Sequence, residues 1–218
     1  SEEYRTPVFL MSDEMVGHMT EKVVIPEADQ IDVVERKFYT GSETYLPYKR
    51  EANGIPLMSK AGLGHNYHIT GLTHDERGYP VLTQEVQAEM MDNLMGKITR
   101  NVDKLTRVEE YMMEDADMAI VSYGISFRMA YKAMEMAREK GLKVGLLRLI
   151  TCWPFPDKVI SELAQKVNSM IMVELNYGQM FLEMDRFANK HCKTGLVGSP
   201  CGEVHDPEEI FAEIQKFA

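Results

Sequence analysis

Apolar residues in the second half of the chain fall into short unbroken runs separated by amphipathic stretches. The runs at 118–123 (MAIVSY), 142–150 (LKVGLLRLI), 169–175 (SMIMVEL) and 194–198 (TGLVG) have strand length. Between them, ISFRMAYKAMEMAREK puts Phe127, Ala130, Met134 and Ala137 on one helical face, and Gly141 stops it. Asp157 to Val167 is a second helix, carrying Val159, Ile160, Leu163 and Val167, and a third is expected near 178–190. A fourth opens at Asp206, Pro207 and Glu209, with Ile210, Phe211, Ile214 and Phe217 turned inward. Apolar strands without alternation are buried on both faces. The expected fold is therefore α/β, a mostly parallel sheet with helices on both faces.

The first half reads differently. Pro7 to Met11 (PVFLM) has the pattern of a buried strand, and SDE after it resembles a helix start. A strand at that position needs a sheet to join, and the chain opens on Ser1, so a piece of a longer polypeptide is expected. Residues 26–82 show glycines, prolines and isolated aromatics without a period, which suits a connector. Thr83 can cap a helix running to Glu114, because Val86, Met90, Leu94, Ile98, Val102, Leu105, Val108 and Met112 recur three or four apart. Such a helix is roughly 45 Å long, longer than a small domain is wide. A break into two helices near Gly96 is the alternative. The expected division is 1–25 as the end of an upstream domain, 26–82 as irregular connector, 83–114 as long helix and 115–218 as the α/β domain.

Charge narrows the function. With 24 Lys and Arg against 34 Asp and Glu the chain carries a net charge of −10. An acidic chain without a basic stripe suits neither nucleic acid nor anionic lipid. No apolar run reaches the ~18 residues that span a bilayer. No secretory or transit pattern appears, so a cytoplasmic protein is expected. Cys152, Cys192 and Cys201 form no CxxC pair, and reduced thiols rather than a zinc or iron–sulfur site are expected. The 17 methionines, many at helical spacing, suit core and interface packing.

Candidate chemistry lies in two places. The stretch GHNYHITGLTHDERGYP (64–80) holds His65, His68 and His74, whose gaps of three and six fit no zinc pattern. His68, Thr70, His74, Asp75 and Glu76 are expected to fix the loop through side-chain-to-backbone bonds or to face a companion subunit. The other place is the carboxyl ends of the predicted strands, where open α/β sheets bind ligands. Those ends carry Tyr123 and Gly124, then Trp153 in TCWPFP, then Glu174, Asn176, Gly178 and Gln179. Free N–H groups where a helix opens attract anions, and Glu174 could be a base or a polar anchor. The competing reading is that these residues shape crossovers and cap helices, since neither GxGxxG nor GxxxxGK[ST] is present. Trp153 is expected to pack, within the domain or against a partner.

Taken together, SDEMVGHMTEKVVIP, HITGLTHDERGYP, SYGIS…AMEMAREKGLKVGLLRLITCWPFP and VELNYGQM resemble the alpha subunits of 2-oxoacid:ferredoxin oxidoreductases, on the 2-oxoglutarate (korA-like) branch. The resemblance covers essentially the whole chain. It implies a transketolase-C-terminal-like domain preceded by the last strand of a pyrimidine-binding domain. It also implies thiamine diphosphate, Mg and iron–sulfur clusters in the complete enzyme, with none bound by this chain. The family's diphosphate–Mg motif GDG belongs to the beta subunit and does not occur here. No catalytic, cofactor-binding or metal residue is therefore expected in this chain. The implied partners are a beta subunit, gamma and delta subunits, ferredoxin and CoA, and a dimer is expected when this stretch is isolated. Two other readings stay open: the C-terminal domain of another thiamine enzyme, and a non-enzymatic α/β module that binds small anions.

Overall fold

The run Met118–Ser122 forms the centre of a five-stranded sheet in the computed structural model, which describes residues 1–200 and 202–217. Cys201, one of the three expected thiols, lies outside the described residues. The strands are β1 (Val108–Tyr111), β2 (Met118–Ser122), β3 (Val144–Leu149), β4 (Ser169–Glu174) and β5 (Lys193–Gly198). Their order is β1-β3-β2-β4-β5. All pairings are parallel except β1 on β3. The helices, in chain order, are α1 (Glu14–His18), α2 (Gln84–Thr99), α3 (Val102–Leu105), α4 (Ser126–Glu139), α5 (Asp157–Ala164), α6 (Gln179–Ala188) and α7 (Pro207–Phe217).

Strand alternation sorts the core into two layers. Met118, Ile120, Leu146, Ile171 and Val173 face α4 and α7, where Met134, Ile210 and Ile214 are buried. Ala119, Val121, Leu147, Met170 and Met172 face α5 and α6, where Ile160, Leu163 and Met184 are buried. Each of these large side chains contributes roughly 1.5–3 kcal/mol by leaving water. The expected α/β sheet, mostly parallel and covered on both sides, is the fold that forms. The helix at Asp206 also starts as read: Asp206 Oδ1 accepts the Glu208 N–H at 2.9 Å.

The chain divides into two units, Ser1–Met11 with Thr20–Asn101, and Ser12–Met19 with Val102–Ala218. The first unit is irregular around α2. Rings of Tyr39, Tyr45, His65 and Tyr67 meet edge to face or tilted. The Arg5 guanidinium donates to the carbonyls of Pro47, Pro56 and Leu57.

Three expectations need correction. Pro7–Met11 is not a strand: it is irregular, with Phe9 83% and Leu10 97% exposed. An apolar run without a neighbour to pair with has nowhere to place its backbone hydrogen bonds except water. The helix 83–114 is not continuous either. It ends at Thr99, where the Asn101 amide turns back onto the Lys97 carbonyl, at 3.0 Å. Gly96 is not the break and stays helical. Finally, Val108–Tyr111 leaves the helical pattern for β1, an antiparallel edge on β3.

Candidate functional site

In this strand order the chain reverses direction of growth between β2 and β4, so a crevice opens at their carboxyl ends. Glu174, the last residue of β4, fills that crevice. Its side chain is fully buried and accepts four hydrogen bonds. Oε2 takes the Tyr123 hydroxyl (2.8 Å), the Asn176 amide (2.8 Å) and the Met180 N–H (3.1 Å), and Oε1 takes the Phe181 N–H (2.9 Å). Asn176 Oδ1 accepts the N–H groups of Gly178 and Gln179 at 2.7 and 2.9 Å. The N-terminal amides of α6 are thus taken by Glu174 and Asn176. Gly178 is left-handed (φ 102), the bend that lets the helix open so close to the strand.

Asp13 does the same for α4. The residue at the N-cap of α4 is Ile125, which has no side chain to cap with. Asp13 Oδ2 accepts the Ile125 N–H at 2.8 Å, from 112 residues away in sequence. Gly124 sits at φ 57, and a Cβ there would meet Asp13 Oδ2 at 2.5 Å. Asp13 is the one residue of 12–19 that is not exposed. Sequence reading missed it; an apolar residue at the N-cap was the available signal.

These contacts bear on the two readings of the strand ends. Tyr123, Glu174, Asn176, Gly178 and Gln179 are linked in one hydrogen-bonded set of caps, and Gly124 lies against Asp13. Burial first, and then the bond to Glu174, push the Tyr123 phenol well above its ordinary value. Burial and the Glu174 charge also push the Cys152 thiol up. Trp153 is not packed inside the domain: it is 69% exposed, beside a cis bond to Pro154. Phe155, two residues on, stacks on Phe187 with centroids 6.0 Å apart.

The histidine loop is likewise held by its own backbone. His68 Nδ1 lies 2.7 Å from the Gly78 carbonyl and His74 Nδ1 2.7 Å from that of Leu72. A carbonyl only accepts, so in both contacts Nδ1–H is the donor. The His68 ring stacks on Tyr79, and the His74 ring lies on Tyr48 at 3.8 Å. Asp75 Oδ1 accepts the N–H groups of Arg77 and Tyr79, and Thr70 Oγ1 that of Leu72. The Arg77 guanidinium, bonded to Asp75, holds that carboxyl below its ordinary value. Glu76 contributes its carbonyl, which accepts the Tyr48 N–H at 3.1 Å. Among the described residues no three His, Cys, Asp or Glu side chains are placed to hold a metal.

Two family models match the chain in succession. Residues 1–93 match the thiamine-diphosphate-binding domain of pyruvate flavodoxin/ferredoxin oxidoreductases, and residues 116–210 match core domain II of pyruvate:ferredoxin oxidoreductase. Among curated proteins, the 2-oxoglutarate synthase subunit KorA of Methanothermobacter thermautotrophicus is 39% identical over 100% of this chain and 58% of its own length. The KorA subunit of Methanocaldococcus jannaschii is 41% identical over 96% of this chain and 56% of its own length. The ketoisovalerate oxidoreductase subunit VorB of Methanothermobacter marburgensis is 31% identical over 100% of this chain and 54% of its own length. The chain therefore spans a little over half the length of these relatives. A solved 2-oxoglutarate:ferredoxin oxidoreductase from Magnetococcus marinus shares the fold, with a TM-score of 0.79 and 24% identity over 88% of this chain and 34% of that one.

Two of the helix N-termini of the C-terminal unit do not fit the diphosphate of a thiamine cofactor. The N-termini of α4 and α6, groups that could cradle a phosphate, are each occupied by a carboxylate, Asp13 or Glu174. A second anion there meets like charge. With two successive domains of one enzyme matched in order, and whole-chain identity to the KorA subunits, the chain belongs to the 2-oxoacid:ferredoxin oxidoreductase family, among its KorA-like alpha subunits.

Proposed function

We propose that this chain works as part of the alpha subunit of a thiamine-diphosphate-dependent 2-oxoglutarate:ferredoxin oxidoreductase. The reaction is oxidative decarboxylation of the 2-oxoacid to an acyl-CoA, with electrons passed to ferredoxin. The higher identity to 2-oxoglutarate synthase subunits than to a ketoisovalerate subunit carries the choice of substrate. Residues 1–25 read as the end of the pyrimidine-binding domain and 26–82 as the connector. The described residues contribute packing and assembly rather than bond-making, a role supported by the closed caps at the strand ends. Thiamine diphosphate, Mg and iron–sulfur clusters belong to the other parts of the complex, as do the contacts with CoA and ferredoxin. A beta subunit and further gamma and delta subunits are the partners. Trp153 and the loop residues His68, Thr70, His74, Asp75 and Glu76 are candidate surfaces for them. The setting proposed is the cytoplasm; among the described residues no helix is long and apolar enough to cross a membrane.

Turnover of the purified complex tests this reading. With CoA and ferredoxin present, 2-oxoglutarate is expected to exceed 3-methyl-2-oxobutanoate and pyruvate in kcat/KM by about tenfold or more, because a site that binds the second carboxylate is left unpaired by the others. Equal values for the three acids defeat the 2-oxoglutarate assignment.

At α4 and α6 the anion-binding-module reading meets Asp13 and Glu174, which already hold those helix N-termini. The expected self-association of the isolated chain rests on exposed apolar runs. Val8, Phe9, Leu10 and Met11, and again Val23, Val24 and Ile25, are exposed in unbroken runs. Contiguous apolar surface of this kind seeks a partner. The isolated 218-residue chain is expected to run as a dimer or larger in light scattering at micromolar concentration. A monomer that also fails to bind an apolar-surface dye contradicts this.

A further inference from the structure

We propose that a cleft in the N-terminal unit, beside Lys97, binds a small oxyanion, a short organic carboxylate or inorganic phosphate. The cleft has a volume of about 260 Å³ and is bounded by Arg5, Tyr48, Arg50, His74 and the Met90–Leu94–Lys97 face of α2. Lys97 is 6% exposed, so its ammonium is largely withdrawn from water. It has three N–H donors and makes one long hydrogen bond, 3.4 Å to the Arg5 carbonyl. Among the described residues it has no ion pair.

The charged group that acts on Lys97 is a second cation. Arg5 stays ionised at any working pH. Its guanidinium is fixed by the carbonyls of Pro56 (2.9 Å) and Leu57 (3.3 Å), and its backbone is left-handed, with φ 48. A non-glycine residue holds that conformation at a cost of about 1 kcal/mol or more, and only where its surroundings impose it. Burial first, and then the Arg5 charge, push the Lys97 ammonium below its ordinary value. Two cations are thus set on one wall without a counter-charge, an arrangement that is unfavourable until an anion joins them.

The acids of the cleft do not serve. Glu89 is paired with Arg50 at 2.9 Å and Asp75 with Arg77 at 2.6 Å. Glu76 makes no ion pair with Lys97 among the described residues. An oxyanion at Lys97 gains charge-assisted hydrogen bonds from the two unused donors, and Met90 and Leu94 offer an apolar wall for a short carbon chain.

The test is phosphate binding by the intact subunit in its purified complex, at ionic strength held constant with chloride. Acylation of Lys97 by an amine-selective reagent, followed by peptide mass spectrometry, reads its free-amine fraction. Phosphate is expected to slow Lys97 by about tenfold, the effect of raising its pKa by one unit, and to do so saturably while other lysines are unchanged. By calorimetry, Lys97→Met is expected to abolish phosphate binding and Lys97→Arg to retain it. Arginine keeps the charge, so its retention separates loss of the site from loss of the fold. Absence of saturable binding to the unsubstituted complex, or equal binding by Lys97→Met, overturns the proposal. Neither outcome bears on which 2-oxoacid the complex oxidises.

Discussion

Glu174→Ala is expected to cost the C-terminal unit about 4 kcal/mol or more of stability, the largest loss of any single polar substitution in it. Four donors converge on this carboxylate inside the core: the Tyr123 hydroxyl, the Asn176 amide and the N–H groups of Met180 and Phe181. Truncation leaves them facing a void. Each buried donor left without a partner costs about 1–3 kcal/mol, and water entering the void recovers part of that. Glu174→Gln is expected to lose roughly half as much: one oxygen still accepts, but the new NH₂ points at donors. Tyr123→Phe removes one donor and leaves three for the carboxylate, so about 1 kcal/mol is expected. The order of the three is the test. Hydrogen exchange of the β2 and β4 amides in the intact subunit reads it, because those strands report on this unit alone. Fluorescence is the wrong probe, since Trp153 is already exposed in the folded chain. A Glu174→Ala loss below about 1 kcal/mol would mean that the network is not what closes the crevice.

The same network marks how far sequence can be read. Strands β2, β3 and β4 were legible because central parallel strands are apolar on both faces, which leaves an unbroken run. The run at Pro7–Met11 has the same composition and is not a strand. Hydrophobicity states that a segment avoids water; it does not state whether its own domain or another surface does the covering. The over-long helix has a related cause. Ile98, Val102, Leu105, Val108 and Met112 keep helical spacing across a real break at Arg100–Asn101. Spacing alone cannot distinguish a continuing helix from a turn followed by an edge strand whose outward residues, Glu109 and Glu110, are polar.

Site residues divide along similar lines. Asn176, Gly178 and Gln179 were readable as a helix opening because their bonds are local, two or three residues apart. The Glu174 network, by contrast, depends on Tyr123, 51 residues away. Asp13 on α4 and Lys97 beside Arg5 are longer-range still, at separations of 112 and 92 residues. Such pairs leave no periodic trace, because the fold alone brings them together.

Gly78→Ala is expected to dismantle the histidine loop while leaving the C-terminal sheet intact. Gly78 has φ 85, a conformation that L-residues rarely adopt, and an added Cβ would press on the backbone carbonyl of His68. That carbonyl is part of the main chain and cannot rotate away as a side chain can. The strained φ alone costs about 1–3 kcal/mol, and the collision forces the strands of the turn apart. Four contacts are at stake there: His68 Nδ1 on the Gly78 carbonyl at 2.7 Å, the His68–Tyr79 stack, the Asp75 N–H on the Tyr79 carbonyl at 3.1 Å, and the Val81 N–H on the Thr73 carbonyl at 2.9 Å. Amide exchange of Tyr79 and Val81 is therefore expected to quicken by about a hundredfold, the ratio that ~3 kcal/mol of lost local stability produces, while β2 and β4 exchange as before. The comparison with Gly71→Ala supplies the control. Gly71 lies in the same loop, has no atom within 4 Å of an added Cβ and does not sit at positive φ. If the two substitutions behave alike, the loop is not held by the Gly78 turn, and His68 and His74 are free for a role that the closed geometry denies them.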